Sequence, residues 1–419
     1  MENEPIQAFS SRAETTETQH QTAYLDWVSA APLLPTVQSV MKEALHEFYG
    51  NPSSRLHNWG IRSQRELDKA RASVAKLIGA WDPIEIIFCA SATEANNLAI
   101  KGIARASDRG KHIVISAIDH PSVRMSAEAL RWDGFTVSYA PVDSWGHVRI
   151  DALKDLLHDD TALVSIQHAN SEIGSIQPLA EIANLCNSFG VPLHSDGWGI
   201  AGFLPVNVSR MGVTAYTIGS NSFWGPVGAA ALWLKKGTEL QPLLDGGGQE
   251  LKRRAGTENI PAIIGMGAAA EIAVRDGTSR ADMMRILSDK LYVGMQEGFG
   301  DCEPVCFYPT GHPLERLPQI ASFRLEWVEG EALLLGIGQE GVAAVSGSAC
   351  ARPELGASYV LEACGVNEEQ RNGSVTLSVG WSTTEDQIEY AVSRIVHHGL
   401  RLFEMSHITE SKRRATDKR

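Results

Sequence analysis

The fold is decided by one stretch, residues 216–228, which reads Y-T-I-G-S-N-S-F-W-G-P-V-G. Apolar segments flank its central turn on both sides and have the composition of buried strands. The glycine and proline residues between them predict a tight turn. A turn of this kind presents its polar side chains from a rigid base, and here these are Ser220, Asn221 and Ser222. None of the three is a strong base or an activated nucleophile by itself.

Strand and helix signals alternate through the first part of the chain. Predicted strands near residues 85–89, 112–116, 136–140, 162–168 and 192–195 are separated by predicted helices at 92–104, 122–132, 151–157 and 179–189. This alternation predicts a mostly parallel sheet with helices on both faces. Ligands of such sheets bind beyond the carboxyl ends of the strands. Two further helices are predicted at residues 261–275 and 280–297.

The chain divides into four predicted segments. Residues 1–22 are polar and predict a disordered arm. Residues 23–265 are predicted to form a large α/β domain, and residues 266–405 a smaller α+β domain, with the region around Tyr24 as a candidate contributor to it. Residues 406–419 carry a run of Lys and Arg, which predicts a disordered basic tail.

Composition limits the classes of function. The chain has 419 residues and a formal net charge of -13. Because phosphate binding needs clustered Lys and Arg, this acidic balance argues against nucleic acid or an anionic membrane as a partner. Cys302 and Cys306 have a spacing seen in metal sites, but no second pair of ligands lies nearby in sequence, so no metal is predicted. A polar N-terminus and the lack of a membrane-spanning apolar run predict a cytoplasmic protein.

Four polar positions each have two interpretations. Thr93 lies where a helix opens, and free N–H groups there favour a phosphate, but Ser91 or Thr93 could also be an ordinary N-cap. His120 either stacks on a flat cofactor or is structural. Asp196 either pairs with a protonated ring nitrogen or caps the next turn. Cys350 ends the small, flexible stretch 346–350 and is either a reactive thiol or a buried, inert one.

Several short motifs along the chain occur together in one protein family. They are residues 24–26 (Y-L-D), 50–54 (G-N-P-S-S), 92–94 (A-T-E), 97–102 (N-L-A-I-K-G), 168–174 (H-A-N-S-E-I-G), 246–250 (G-G-G-Q-E), 254–259 (R-A-G-T-E-N) and 346–350 (S-G-S-A-C). The chain resembles the cysteine desulfurases of the NifS/IscS type, in the class V aminotransferase family. The resemblance implies the aspartate aminotransferase-like fold of fold-type I pyridoxal phosphate (PLP) enzymes, usually as a homodimer. It also implies removal of sulfur from L-cysteine, which leaves alanine, and transfer of a persulfide to a partner.

The resemblance assigns roles to individual residues. Thr93 corresponds to the family's phosphate-binding threonine, and His120 to the histidine that stacks on the PLP ring. Asp196 corresponds to the partner of the pyridine nitrogen, and Thr257 to the threonine that reaches the phosphate of the other subunit. Cys350 corresponds to the persulfide-forming cysteine. The implied cofactor contacts are Ala92, Thr93, His120, Ser171, Asp196, Asn221 and Thr257.

Other positions depart from the family pattern. The lysine that forms the Schiff base with PLP falls at Ser222, and the arginine that holds the substrate carboxylate falls at Thr376. A histidine, a serine, a glutamine, an asparagine and a second arginine of the family fall at Asn221, Gly219, Gly199, Ser171 and Trp381. Serine cannot form an imine and is a poor base without an activating neighbour. Threonine cannot make a bidentate contact with a carboxylate.

These departures favour a catalytically inactive or non-standard homologue that acts in sulfur or iron–sulfur metabolism and accepts sulfur on Cys350. Its expected partners are a second copy or an intact desulfurase, together with a sulfur-acceptor or scaffold protein. A second hypothesis is an enzyme repurposed to bind PLP without a covalent bond, and a third is an active desulfurase. If PLP binds, we therefore expect it to bind without a Schiff base at residue 222. The catalytic candidates are Cys350, Ser222 and His120.

Overall fold

The computed structural model describes residues 21–300, 305–347 and 358–405. Its strands are β1 (Ala23–Tyr24), β2 (Ile86–Cys89), β3 (His112–Ser116), β4 (Thr136–Ala140), β5 (Thr161–Ser165), β6 (Leu193–Asp196), β7 (Ala215–Gly219), β8 (Ala230–Leu234), β9 (Phe307–Pro309), β10 (Ile320–Leu325), β11 (Val342–Ala343) and β12 (Ser374–Ser378). Its helices are α1 (Pro35–Glu47), α2 (Asn58–Leu77), α3 (Ala92–Ala106), α4 (Pro121–Ala129), α5 (Ile150–Leu156), α6 (Leu179–Ser188), α7 (Ile260–Phe299), α8 (Gly330–Gln339), α9 (Tyr359–Ala363), α10 (Glu368–Arg371) and α11 (Glu385–Met405). Most of the predicted arm, residues 1–20, and the predicted tail, residues 406–419, lie outside the described ranges.

The central sheet has seven strands in the described part of the chain, in the order β2-β8-β7-β6-β5-β3-β4. Strands β7, β6, β5, β3 and β4 run parallel, whereas β8 pairs antiparallel with both β2 and β7. Most of these strands are buried at every residue, which is the pattern expected when helices cover both faces. The prediction of a mostly parallel sheet is confirmed.

Alternate side chains of one strand supply two separate apolar cores. Ile113 and Ile115 of β3 belong to a cluster that also contains Leu98 of α3 and Val123 of α4. Val114, between them, belongs to the other cluster, which includes residues of α2 and α7. Because successive side chains of a strand point to opposite faces, the sheet forms a layer between two layers of helices.

A smaller antiparallel sheet, in the order β12-β10-β9, lies in the C-terminal part of the chain. Strand β1 pairs with β11, so the N-terminal end of the described residues packs with segments far along the chain. Thr376 of β12 donates a hydrogen bond to the backbone oxygen of Glu172, which lies in the turn after β5. The smaller sheet is thereby held beside the carboxyl ends of the central strands.

No helix in the described ranges has both the length and the apolar character needed to cross a membrane.

Helix α7 runs without a break over 40 residues, so the two predicted helices of this region are one, and that prediction is wrong. The predicted domain boundary after residue 265 falls inside α7, and the division itself stays a prediction. Gly277 lies where the helix was predicted to break. A Cβ atom on Gly277 would be 2.6 Å from the Gly202 carbonyl oxygen, so the helix needs a glycine at this contact.

Gly277→Ala is expected to lower the free energy of unfolding by about 1–3 kcal/mol, because the added methyl group must displace the backbone at Gly202. Gly338→Ala is the matched control, since a Cβ atom on Gly338 of α8 has no atom within 4 Å. Alanine at this exposed helical position is expected to raise the free energy of unfolding by about 0.5–1 kcal/mol. Urea-induced unfolding followed by circular dichroism measures both variants. Equal stabilisation of the two would contradict the packing described for α7.

Candidate cofactor pocket

A cavity of about 290 Å³ lies at the carboxyl ends of the central strands. Its walls come from segments that follow β2, β3, β5, β6 and β7, which is where a sheet of this type binds its ligands. The cavity brings together six of the seven predicted cofactor contacts: Ala92, Thr93, His120, Ser171, Asp196 and Asn221. These residues are far apart in sequence and meet because their strands end at one edge of the sheet.

A chain of hydrogen bonds connects four side chains at this edge. The amide nitrogen of Asn96 donates to Asp196 Oδ2 at 2.7 Å and to the Ser122 hydroxyl at 2.8 Å. The Ser122 hydroxyl oxygen lies 2.8 Å from His120 Nδ1. Asp196, the last residue of β6, also accepts the backbone N–H of Trp198 at 3.1 Å. These bonds tie β6 to the first turns of α3 and α4, and with them the two helices that border the cavity.

The same contacts set the protonation of His120 and Asp196. Nδ1 of His120 accepts the backbone N–H of Ser122 at 3.1 Å, which assigns the proton of the neutral ring to Nε2. Burial lowers the pKa of His120, and the charge of Asp196 opposes that shift. Burial raises the pKa of Asp196, and the hydrogen bond from Asn96 and the charge of His120 oppose it. A protonated ring nitrogen of a ligand would give the Asp196 carboxylate a charged partner.

The N-terminus of α3 is capped by Ser91, whose hydroxyl accepts the backbone N–H of Glu94 at 3.1 Å. The N-cap interpretation of this segment therefore holds for Ser91, while Thr93 lines the cavity and its role in binding a phosphate stays a prediction. The Glu94 carboxylate is paired with Arg254 at 2.7 Å. Asn96 was missed by sequence analysis. Its position one helical turn after Thr93 places it on the same side of α3 and could have indicated its role.

The polar turn quoted at the outset is a short 3₁₀ helix, Ser220–Phe223. Ser222 is buried, and its hydroxyl donates to the carbonyl oxygen of Gly219 at 2.8 Å. The neighbouring Asn221, not Ser222, lines the cavity. The Ser222 hydroxyl is therefore engaged within its own turn. None of the described residues that line the cavity is a lysine.

Gly219 and Gly199, two positions at which sequence analysis predicted a departure from the family pattern, fit their surroundings closely. A Cβ atom on Gly219 would lie 3.1 Å from Asn221 Oδ1 and 3.6 Å from Trp198 Cδ1. Gly199 has φ +76°, and its carbonyl oxygen accepts a hydrogen bond from Gln319. A side chain at Gly199 would be strained by that backbone conformation. Trp198, which lines the cavity, was missed by sequence analysis because a tryptophan after a strand carries no distinctive chemical signal.

Thr376 is buried in β12, where its hydroxyl donates to the backbone oxygen of Glu172 at 3.0 Å. Glu172 lies in the matched motif at residues 168–174 but was not singled out by sequence analysis. The residue is partly exposed, yet its carboxyl group is enclosed by protein and accepts a hydrogen bond from Ser358. Burial raises the pKa of Glu172 to about 7, and the hydrogen bond from Ser358 opposes that rise.

The remaining predicted positions lie away from the cavity or outside the described residues. Thr257 is exposed and does not line the cavity of its own chain. The Trp381 indole N–H donates to the Pro32 carbonyl oxygen at 3.4 Å, and its ring packs edge-on against Trp27. Cys350 falls within residues 348–357, which the structure does not describe.

The fold and the pocket define a class of protein, the fold-type I PLP-dependent α/β proteins. The model of the aminotransferase class-V family matches residues 23–390, and the chain belongs to this family. It is 40% identical over 370 residues to the cysteine desulfurase IscS of Dictyoglomus turgidum, covering 88% of this chain and 92% of that one. Cysteine desulfurase IscS 1 of Archaeoglobus fulgidus is 38% identical, with 87% and 94% covered. A solved structure of a NifS-like protein superposes with a TM-score of 0.82 at 31% identity, covering 90% of this chain and 99% of that one.

The family is PLP-dependent, and the residues present fit part of that cofactor. The buried Asp196 carboxylate, which has an amide and a backbone N–H as partners, fits a protonated pyridine nitrogen. Thr93 and the free N–H groups that begin α3 fit a phosphate. The oxygen Oδ1 of Asn96 has no hydrogen-bond partner among the described residues. None of the described residues that line the cavity carries a side-chain amine.

Glu172→Gln is expected to flatten the pH dependence of stability. The pKa of Glu172 is raised to about 7 in the folded chain, so the free energy of unfolding falls as the pH rises from about 4.5 through 7. At pH 8 the free energy of unfolding of the variant should exceed that of the unchanged protein by about 3 kcal/mol, and at pH 4.5 the two should differ little. Urea unfolding at the two pH values gives the comparison.

The control for this experiment is Glu389→Gln, at an exposed position on α11 beyond its first turn. It is expected to have no effect at either pH. If Glu172→Gln raised the free energy of unfolding equally at pH 4.5 and pH 8, the cause would be better packing rather than the ionisation of Glu172.

Proposed function

We propose that this chain is a cysteine desulfurase homologue that binds PLP without a covalent bond and does not by itself release sulfur from cysteine. Its role is then to receive sulfur in sulfur or iron–sulfur metabolism. One observation carries the proposal. No described residue of the cavity wall is a lysine, and in the turn after β7 the Ser222 hydroxyl is bonded to the carbonyl oxygen of Gly219. The resemblance to the family aligns its Schiff-base lysine with Ser222, which supports the proposal.

No described group takes over the work of the missing lysine. PLP, where bound, would supply an electron sink to a substrate joined to its aldehyde carbon. A base must first remove a proton from the substrate. His120 is the one imidazole among the described wall residues, and its Nδ1 already accepts hydrogen bonds from residue 122. The Ser222 hydroxyl donates to Gly219 and has no base beside it in the described structure.

A homodimer is part of the proposal. Thr257 is exposed and does not line the cavity of its own chain, as expected for a residue that contacts the ligand of a second copy. Large apolar side chains on the described surface also favour a partner, since Leu56, Val227 and Leu251 are 101%, 86% and 59% exposed. An intact desulfurase in place of the second copy is the alternative arrangement. The cytoplasmic location belongs to the same proposal and rests on the sequence.

The covalent state of PLP is the first prediction from this proposal. The protein is incubated with PLP, reduced with borohydride, dialysed and mapped by peptide mass spectrometry. We expect reversible binding, seen as quenching of Trp198 fluorescence, with no pyridoxyl group fixed in the peptide that contains residue 222. Trp198→Phe should lose most of that quenching, because Trp198 lines the cavity.

Two substitutions at one position control this experiment. Ser222→Ala should behave like the unchanged protein, and Ser222→Lys should gain a borohydride-fixed pyridoxyl group on residue 222. Sulfide release from L-cysteine is assayed in parallel with PLP and a reductant. Steady release by the unchanged protein, together with a fixed adduct on any single lysine, would make it an active desulfurase and end the proposal.

The role as sulfur acceptor rests on the motif that ends at Cys350. Transfer requires a donor with a persulfide: the Cys350 thiol takes the outer sulfur and becomes a persulfide, while the donor is left with its own thiol. Two cysteines in the described part of the chain, Cys186 and Cys364, are buried. Burial raises the pKa of Cys186 and of Cys364 to about 12 each, so both stay protonated and unreactive.

An active cysteine desulfurase and L-cysteine should therefore load one additional sulfur atom on the Cys350 peptide of this protein. Intact-mass and peptide analysis after alkylation detects it. Cys350→Ser should remove the label, whereas Cys186→Ser should leave it unchanged. Equal labelling of the protein with and without Cys350 would remove the acceptor role.

A further inference from the structure

The tryptophan of the cavity wall, Trp198, stands on a backbone that is fixed on both sides. Its own N–H donates to Asp196 Oδ1 at 3.1 Å. The carbonyl oxygen of the next residue, Gly199, accepts a hydrogen bond from the Gln319 amide at 2.9 Å. These two contacts restrain the short segment that follows β6 and therefore the position from which the indole side chain extends.

A buried tyrosine of the neighbouring strand supports the same segment. A Cβ atom on Gly197 would lie 2.2 Å from the Tyr216 ring, so the phenol packs directly against the backbone one residue before Trp198. The Tyr216 hydroxyl oxygen lies 2.7 Å from His168 Nδ1. Burial lowers the pKa of His168 to about 4 and raises the pKa of Tyr216, so both groups are neutral near pH 7. This pair adds a third restraint beneath the indole.

The indole lies across the carboxyl ends of β6 and β7. A Cβ atom on Gly219, the last residue of β7, would lie 3.6 Å from Trp198 Cδ1. Trp198 is partly exposed, and it lines the larger cavity together with Asp196 and His120. An aromatic side chain is thus held in place at the part of the cavity where a ring nitrogen would meet Asp196.

The spacing of the strands leaves room for one flat ring between two side chains of this cavity. His120 follows β3 and Trp198 follows β6, and β5 lies between these strands. Neighbouring strands are about 4.8 Å apart, so the ends of β3 and β6 are about 10 Å apart. A flat ring in van der Waals contact on each face needs about 7–8 Å. A ligand ring in this space can therefore contact the indole.

The charge of Asp196 makes an indole face a favourable neighbour for such a ring. The buried carboxylate fits a protonated ring nitrogen, and it lies two residues before Trp198. A protonated heterocycle spreads a positive charge over a flat ring. Tryptophan attracts cations to its face more strongly than the other aromatic side chains do. Stacking and charge thus favour the same ligand.

We infer that the indole of Trp198 stacks on a flat, protonated ring of the ligand, and that this contact holds the ligand in place of a covalent bond. This inference rests on the proposed function, because it takes the ligand to be bound without a Schiff base. It names the class of ligand as a phosphate ester of a protonated heteroaromatic ring, in preference to one of a saturated ring.

Two phosphate esters test the inference on the full chain. Pyridoxine 5′-phosphate has the heteroaromatic ring and cannot form an imine, whereas cyclohexylmethyl phosphate has a saturated ring. Both affinities are measured by isothermal titration calorimetry at pH 7. Trp198→Leu, which keeps an apolar side chain without the aromatic face, should weaken binding of pyridoxine 5′-phosphate by at least about tenfold. It should change the affinity for cyclohexylmethyl phosphate by less than about twofold.

Other variants separate stacking from a structural effect. Trp198→Phe should restore part of the affinity that Trp198→Leu loses, because phenylalanine keeps an aromatic face. Trp132→Leu is the matched control, since Trp132 is 93% exposed and does not line the cavity. Binding to the unchanged protein should also reduce the absorbance of the pyridine ring, as expected for stacked rings, and Trp198→Leu should abolish that change. Circular dichroism checks that each variant is folded.

A double-mutant cycle tests the charge on the ring. Asp196→Asn removes the anionic partner of the ring nitrogen, so the ring should bind unprotonated and gain less from the indole. In that background Trp198→Leu should weaken binding by only about threefold or less. Additive effects of the two substitutions would overturn the part of the inference that concerns a protonated ring.

The outcomes distinguish this inference from the proposed function. Equal weakening of both esters by Trp198→Leu, an unchanged affinity for pyridoxine 5′-phosphate in that variant, or no binding of this ester by the unchanged protein would overturn the inference. Each of these results leaves the state of residue 222 as the borohydride experiment finds it. A fixed lysine adduct with sulfide release would overturn the proposed function instead, whatever the effect of Trp198→Leu.

Discussion

A buried carboxyl group must be given hydrogen bonds, and Asp196 imposes this requirement on three elements of the fold. Asn96 supplies one bond from α3, and the backbone of Trp198 supplies another from the turn that follows. The same Asn96 nitrogen reaches Ser122 at the start of α4, next to His120. An unpaired buried acid costs about 1–3 kcal/mol or more, so the starts of α3 and α4 are fixed relative to β6. These hydrogen bonds therefore also fix the positions of the residues of α3, α4 and β6 that line the cavity.

Sequence patterns predicted the part of the site that depends on strand ends. Thr93, His120, Asp196 and Asn221 each follow a strand, and a parallel sheet brings such positions to one edge. The role of Asn96 depends on which helix side faces β6, which is a tertiary property. Helix α7 was predicted as two helices with a break around Gly277, and glycine is a weak helix former. In the fold the helix is continuous, and Gly277 lies where α7 packs closely against the backbone of Gly202.

The backbone around the turn at residues 219–223 and the segment after β6 fit together closely. A Cβ atom built at Gly219 would lie 3.1 Å from Asn221 Oδ1 and 3.6 Å from Trp198 Cδ1. Gly199 adopts φ +76°, where a side chain is strained, and its carbonyl oxygen accepts a hydrogen bond from Gln319. A larger residue at either glycine would therefore require its neighbours to move.

Charge connects the two ends of the pocket. Asp196 ends β6, and Glu172 lies in the turn after β5, so two buried acids lie at this edge of the central sheet. Burial raises the pKa of both carboxyl groups, and hydrogen bonds from Asn96 to Asp196 and from Ser358 to Glu172 oppose the rise. Because the folded chain holds protons on these groups more tightly than the unfolded chain does, protonation is coupled to folding and stability depends on pH. The hydrogen bonds that position the two acids therefore also set how strongly the fold responds to pH.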